Sequence, residues 1–467
     1  MNQLSLSALV SCFKHGLKIF VREIVLECFK KVFRDFHRDW KRRLGPSQYD
    51  MIALAHPRCA DDQLEPKETP RVDAHNSHTP ILSIQGVNLL LIVIILGVAS
   101  FSVLLPLSPA WALARGASEA AAGSVTTVLM ASTIMTQFAM NKALRTFGWA
   151  KVLALGLIAL GAPATLQALG TGSAAILISS ALRGIGFGIL TVGGATAIAL
   201  LVPAARRGAA VGVYGLALAL PQLLLMSSAP VLEQRFGSLA MTLIATLPLA
   251  GLVLVRPLGG ILGRHAASDQ APADAGLSKQ PSTFRLIAPS LLVLLIATSG
   301  GGAVLTFASQ MALDAPSAAI MLLCLTGFAT PTRWIFGVLS DRHDILKMIT
   351  GLCVVLVLGM AALSIALSIG DPHTAQWTLY LGSVLLGLAY GGLQSTSLVL
   401  AFRRGGSTRL TRVSVLWNVS FDLGTGVGAL AAGALATAAG FPFAFACLTA
   451  LSLLGAMIAL RRLYSSA

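Results

Sequence analysis

VNLLLIVIILGVASFSVLLPL, residues 87–107, holds no charged side chain. A helix rises about 1.5 Å per residue, so this run spans about 30 Å as a helix, the thickness of a bilayer's hydrocarbon core. The helices of a soluble core do not need that length without a polar face. Runs of the same kind recur to the end of the chain. The spans are read as 87–107, 120–140, 150–169, 174–202, 209–228 and 238–255, then, after a polar stretch from Arg256 to Arg285, 286–309, 315–339, 348–369, 376–402, 413–435 and 441–460. Pro106, Pro163, Pro221, Pro248 and Pro289 lie in or near these spans and do not refute them, since neighbouring helices can satisfy the freed backbone.

The whole chain agrees with its first span. Of 467 residues 55% are hydrophobic and 11% charged, and the mean hydropathy is +0.78. A soluble domain carries about a quarter charged residues. The predicted fold is therefore all-α, a polytopic membrane protein of twelve transmembrane helices in two six-helix halves: 81–255, a cytoplasmic linker 256–285, and 286–467. The net charge of +15 invites a nucleic-acid reading, but the basic residues gather in an N-terminal segment and in short loops, which is a topology signal. The loops after spans 2, 4, 6, 8 and 10 hold Lys142, Arg145 and Lys151; Arg206 and Arg207; Arg256, Arg264, Lys279 and Arg285; Arg342 and Lys347; Arg403, Arg404, Arg409 and Arg412. The opposite loops hold Arg115 and Arg235. The positive-inside rule puts both termini in the cytoplasm.

Residues 1–80 differ in kind. Phe13, Leu17, Phe20, Ile24, Cys28 and Val32 recur every three or four residues opposite Lys14, Lys18, Arg22, Lys30 and Arg34, the pattern of a basic amphipathic helix that can lie on an anionic membrane surface. Residues 56–79, rich in Pro, Asp, Glu and His, read as a disordered tether. The competing reading of the whole segment is a weakly ordered extension, with Met51 as an alternative start. The first long apolar run starts too far into the chain to be a cleavable signal, so insertion by the first span is expected.

Three ionisable side chains lie inside spans, and each is a functional candidate because charge in hydrocarbon is costly. Arg183 and Asp422 are each about 13 Å from the nearest span end, near the midplane, and Arg333 about 10 Å from the cytoplasmic side. Arg183 can bind an anionic substrate group, and Asp422 can exchange a proton and so couple transport to a gradient; permanent pairing of Asp422 with Arg333 or Arg183 is the structural alternative. Tyr390, Gln394 and Asn418 add polar groups to the second half, as ligand contacts or as hydrogen bonds between helices. The run Gly184-Ile-Gly186-Phe-Gly188 in span 4 recurs as Gly387-Leu-Ala-Tyr390-Gly391 in span 10, an internal repeat of the kind transporters carry. The cysteines at 12, 28, 59, 324, 353 and 447 show no metal-ligand spacing, and neither a metal site nor a disulfide framework is expected. No Walker motif or catalytic triad marks an ATPase or a membrane enzyme, and no cofactor is expected.

At the cytoplasmic end of span 8 stands Gly337-Val-Leu-Ser-Asp341-Arg342, with Arg333 one turn before it. Gly337 allows close helix approach, and Asp341 and Arg342 can form contacts that break when that side opens, so a cytoplasmic gate is expected there. This stretch resembles the Gly-x-Leu-x-Asp-Arg-x-Gly-Arg loop motif of the major facilitator superfamily, and with the six-plus-six layout the resemblance covers roughly residues 85–465. The first-half copy is degraded: Asn141-Lys-Ala-Leu-Arg145-Thr-Phe-Gly148 places Arg145 where the family usually has Asp. In span 4 the family's Arg-x-x-Gln-Gly-x-Gly is similar to Ser180-Ala-Leu-Arg183-Gly184-Ile-Gly186, with the arginine one turn later. The adjacent Gly-Pro pair that drug antiporters carry in span 5 is reduced to Gly215 and Pro221.

The resemblance implies two bundles that rock around a central site, a small-molecule substrate, protons as coupling ion, and a monomer in the lipid bilayer. Its stretch Leu182 to Pro221 looks most like bacterial exporters of drugs, metabolites or metal chelators. Richness in Ala, Gly and Arg fits a bacterial chain and hence the cell membrane. Proton-coupled export is thus the expected function, with proton-coupled uptake and a transporter-like sensor or assembly factor as alternatives.

Overall fold

A computed structural model describes residues 81–465 apart from 171, 204–206, 269–282, 341–342 and 406–409. The chain divides into two units, Met1–His75 and Asn76–Ala467, and the described residues belong to the second. The amphipathic segment and tether expected before residue 80 lie outside the described residues.

Among the described residues twelve α-helices occur in chain order: α1 Val87–Ala114, α2 Glu119–Gly161, α3 Ala164–Leu169, α4 Ser173–Leu201, α5 Arg207–Pro221, α6 Ser227–Ala245, α7 Leu252–Ser268, α8 Thr283–Met311, α9 Ala315–Leu339, α10 Ile345–Ala366, α11 Pro372–Gly405 and α12 Leu410–Ser465. No strand occurs among the described residues. Pro163 parts α2 from α3, Pro221 precedes a π turn at Gln222–Met226, and Pro248 sits in a 3-10 turn at Leu247–Gly251. Each break follows from the missing proline N–H and the clash of its ring with the preceding turn.

Helices and crossings are counted differently. Nine helical runs among the described residues are long and apolar enough to cross a membrane, and three of them, Glu119–Leu169, Val213–Ala266 and Arg412–Ser465, have 51, 54 and 54 residues. A straight helix of that length would run about 80 Å. Each is instead broken by a glycine in the left-handed region, Gly148 at φ 76°, Gly237 at φ 78° and Gly440 at φ 82°. The limbs of α2 both pack on α4: a Cβ added to Gly184 would come 2.2 Å from the Leu129 carbonyl oxygen, and one on Gly186 would come 2.5 Å from that of Gly156. The chain thus doubles back at Gly148, and folding all three runs gives the twelve crossings expected from the sequence.

The connections differ from expectation. Residues 141–149, read as a loop, are helical up to Phe147, and the turn is one residue. Helix α7 extends to Ser268, so Arg256 and Arg264 stand on a helix within the stretch read as linker. Charge marks where lipid ends, whereas a helix continues until a backbone signal stops it.

The two halves, α1–α7 and α8–α12, repeat each other at two constant offsets. Ser118 caps α2 by accepting a hydrogen bond from the Ala121 amide, and Asp314 caps α9 by accepting one from the Ser317 amide, 196 residues later. The repeat Gly184/Gly188 packs on the carbonyl oxygens of Leu129 and Thr133, while Gly387/Gly391 packs on those of Leu325 and Ala329. Leu129 and Leu325 are again 196 apart, Gly184 and Gly387 are 203 apart, and so are the turn glycines Gly237 and Gly440. Outside this packing, Ile92, Ile95, Leu155, Ile158 and Ile178 are exposed, as lipid-facing side chains are.

Candidate functional site

The halves meet along several helix pairs, among them α2–α12, α6–α9 and α1–α8. On α2 and α12, Thr437 donates to the Glu119 carboxylate at 3.2 Å and accepts from the Ala120 amide at 2.9 Å, and Thr127 donates to the Gly426 carbonyl at 2.8 Å. Thr126 of α2 and Thr306 of α8 share a hydrogen bond at 3.0 Å. On α6 and α9, Ser227 and Thr326 share one at 2.9 Å. Small residues allow this approach: a Cβ on Gly123 would lie 2.4 Å from the Ala429 carbonyl oxygen, and one on Gly433 would lie 2.2 Å from that of Glu119. Glu119 begins α2 and Thr437 precedes the turn at Gly440, so the α2–α12 contacts start at one end, the far end, while Ser227 and Thr326 meet nearer mid-depth. The opposite, basic end carries Arg145, Lys347 and Arg404.

Where the α2–α12 seam reaches mid-depth, the Gln137 amide donates to the Asp422 carboxylate at 2.7 Å, with Gln137 9% and Asp422 4% exposed. No basic side chain pairs with Asp422 among the described residues. The other amide atom of Gln137, Oε1, is buried without a partner. A charged group held in a low-dielectric site by one neutral amide is poorly compensated, and this bond joins the two halves.

Next to it lies a wall built by α9, α11 and α12. Tyr390 stands in electrostatic reach of both Asp422 and Arg333. Its ring rests on α8 where Gly301 leaves room, since a Cβ there would meet the ring at 2.3 Å. Phe421 lies 6.1 Å from Tyr390 between ring centroids, and Trp417 stacks on Phe421 at 5.9 Å with 28° between planes. Trp417 donates through Nε1 to Ser397 at 3.1 Å. Gln394, one turn beyond Tyr390, is 1% exposed, and its side-chain amide faces the Tyr390 hydroxyl. Asn418 is half-buried one turn from Asp422 and donates to the Ser414 carbonyl at 2.9 Å.

Arg333 belongs to this wall. It lies two turns beyond Thr326 along α9, toward the basic end, where it is exposed and in electrostatic reach of Tyr390. Its backbone carbonyl accepts from Ser395, and no hydrogen bond or ion pair holds its guanidinium among the described residues.

Arg183 stands apart from Asp422. It is fully buried inside the first half, with Nη2 donating to the Ser100 carbonyl at 3.2 Å while Nε and Nη1 have no partner. It borders a gap between α1, α2 and α4, lined by Leu104, Ser108, Val125, Thr126 and Ser180, that is too narrow for a water molecule. Neither arginine therefore pairs permanently with Asp422. Of the residues expected at the gate, Asp341 and Arg342 lie outside the described residues. Gly337 approaches Ser395 of α11, 3.8 Å from a built Cβ, and Arg145 is exposed at the end of the first limb of α2.

Gln137, Trp417, Phe421 and the threonines of the seam were not singled out from the sequence, where they are common residues in apolar runs. One signal was present: Thr136-Gln137-Phe138 and Thr332-Arg333-Trp334 stand 196 residues apart. Among the described residues no group of three or more His, Cys, Asp or Glu could hold a metal ion.

The profile described as Major Facilitator Superfamily matches residues 90–404. No curated protein matches the chain in sequence. Solved structures do: a mutant of the nucleoside transporter NupG, at 12% identity and TM-score 0.64 over 81% of this chain and 99% of that one; a bacterial homologue of the human lysosomal transporter Spinster, inward-facing and unoccupied, at 14% and 0.61 over 82% and 97%; and a mutant of the peptide transporter POT in complex with alafosfalin, at 15% and 0.61 over 81% and 94%.

Proposed function

The chain belongs to the Major Facilitator Superfamily, and from that premise we propose that it is a secondary active transporter that exports a drug, metabolite or metallophore across the cell membrane in exchange for protons. The halves 81–255 and 286–467 rock against each other about a central cleft. With both termini in the cytoplasm, as the basic loops imply, the closed far end faces outward and the cleft at Arg333 opens inward. Gly337, Asp341, Arg342 and, from the first half, Arg145 are assigned to the cytoplasmic gate, which closes in the alternate state.

The observation that carries proton coupling is the Gln137–Asp422 bond. The carboxylate is buried, has no cation partner among the described residues, and is the acceptor of a hydrogen bond between the two moving bodies. Taking up a proton removes the charge and weakens that bond, since charge-assisted hydrogen bonds are about twice as strong as neutral ones. Protonation state and bundle position are thereby linked, which proton antiport requires.

The test follows a compound to which a deletion strain is hypersensitive. In inside-out vesicles it accumulates only when the lumen is acidic, and Asp422→Asn abolishes this at an unchanged level of folded protein. Uptake of the compound into right-side-out vesicles, or full coupling in Asp422→Asn, contradicts the reading.

A further inference from the structure

The repeat of the two halves gives each site residue a counterpart. The offset of 196 that relates the α2 and α9 caps pairs Gln137 with Arg333 and Arg145 with Asp341. The offset of 203 that relates Gly184 to Gly387 and Gly237 to Gly440 pairs Asp422 with Ala219. The packing obeys the same correspondence. Leu223 of the π turn comes within 3.8 Å of a Cβ built on Gly327, and the matching Gly426 of α12 packs on Met130 and Thr127 of α2. The α2–α12 seam therefore contains a donor and an acceptor that join, Gln137 and Asp422 at 2.7 Å. The second contact, of α9 with α6 and the π turn, has the donor alone at the matching place: the guanidinium of Arg333, an exposed residue, with an alanine, Ala219 of α5, at the counterpart position of Asp422.

An arginine within a membrane span is costly and calls for an anion. Asp422 already accepts from Gln137, and no other Asp or Glu lies within the described part of α5, α9 or α11. Tyr390, in electrostatic reach of the guanidinium, begins an aromatic run that continues to Phe421 and Trp417, all half-buried and in contact one with the next. Stacked rings give flat apolar surface to a planar ligand, and the guanidinium's planar fork matches a carboxylate.

We propose that the central cleft binds a planar aromatic acid, its carboxylate taking at Arg333 the place that Asp422 takes at Gln137 and its ring lying against Phe421 and Trp417. The transported molecule then supplies the acceptor that completes the second seam. Arg333, which the loop motif alone groups with the gate, is a substrate-binding residue, and Trp417 and Phe421 set the preference for rings. The proposal rests on the transporter reading, but it concerns binding and is tested without a gradient.

The experiment is equilibrium binding to the full chain in lipid nanodiscs with three probes: 1-naphthoate, the uncharged 1-naphthamide, and the non-aromatic anion cyclohexanecarboxylate. Wild type is expected to bind 1-naphthoate about tenfold or more tightly than either of the others, as loss of a charged hydrogen bond or a stacking surface implies. Arg333→Gln removes the preference over 1-naphthamide and keeps 1-naphthamide binding, which also reports that the variant is folded. Trp417→Leu removes the preference over cyclohexanecarboxylate. Ala219→Asp installs the missing acid, satisfies Arg333 from within, and abolishes 1-naphthoate binding while 1-naphthamide still binds. Equal binding of 1-naphthoate and 1-naphthamide by wild type, or an undiminished preference in Arg333→Gln or in Ala219→Asp, overturns the proposal. Failure of proton coupling in vesicles leaves these outcomes untouched, so the two readings fall separately.

Discussion

Three ionisable side chains stand in the membrane interior, and Asp422 and Arg183 differ in surroundings. Asp422 lies at the junction of the halves and holds Gln137, whereas Arg183 lies wholly within one half with two guanidinium nitrogens unsatisfied. A buried cation without a carboxylate is a cost to folding, and even buried charges that are paired can often be replaced by apolar side chains of similar volume with a neutral effect or a gain of about 1–4 kcal/mol. Arg183→Met is therefore expected to raise the melting temperature of the solubilised protein while impairing transport, the signature of a group kept for function. A lower melting temperature would show that Arg183 is part of the scaffold. The sequence identified all three intramembrane charges because charge in an apolar run is conspicuous. It did not identify Gln137, since an amide is unremarkable in a helix until the fold sets a carboxylate 2.7 Å away.

At the scale of elements, hydropathy located the spans and missed their ends. Span 2 was expected to finish at residue 140, yet its helix reaches Phe147 and turns on Gly148 alone. A helix end is set by backbone geometry, which composition records weakly. The left-handed φ of Gly148 has no neighbour within 4 Å of a built Cβ, so substitution there is opposed by backbone strain and not by a clash. Gly148→Ala is expected to cost about 1–3 kcal/mol, read as a lower melting temperature with normal insertion. At the far end the opposite holds: a side chain at Gly123 meets the Ala429 carbonyl oxygen across the seam. Gly123→Val should part α2 from α12 and hold that end open. A cysteine placed at Thr306, beneath the seam, would then react with a membrane-impermeant thiol reagent outside cells about tenfold faster or more, as a shift of a few kcal/mol in a two-state equilibrium requires. Unchanged labelling would mean that the seam does not close the far end.

Over the whole molecule, twelve crossings in two related halves were legible in the sequence because the apolar runs, the basic loops and the Gly184/Gly387 repeat point the same way. The offsets of 196 and 203 give the repeat its use, since they show where the halves match and where function has made them differ. One seam is joined by Gln137 and Asp422; the other ends at Arg333. A charge-assisted bond in the first seam favours the state described here, and neutralising Asp422 favours its partner state. The most direct test is pulsed electron paramagnetic resonance on spin-label pairs at 120 and 437 and at 145 and 412, in nanodiscs, between pH 5.5 and pH 8. The far-end pair is expected to lengthen and the basic-end pair to shorten as pH falls, and Asp422→Asn should show the low-pH distribution at every pH. Distances that ignore pH in the wild type, or that follow pH equally in Asp422→Asn, would contradict the claim that Asp422 links the proton to the movement of the halves.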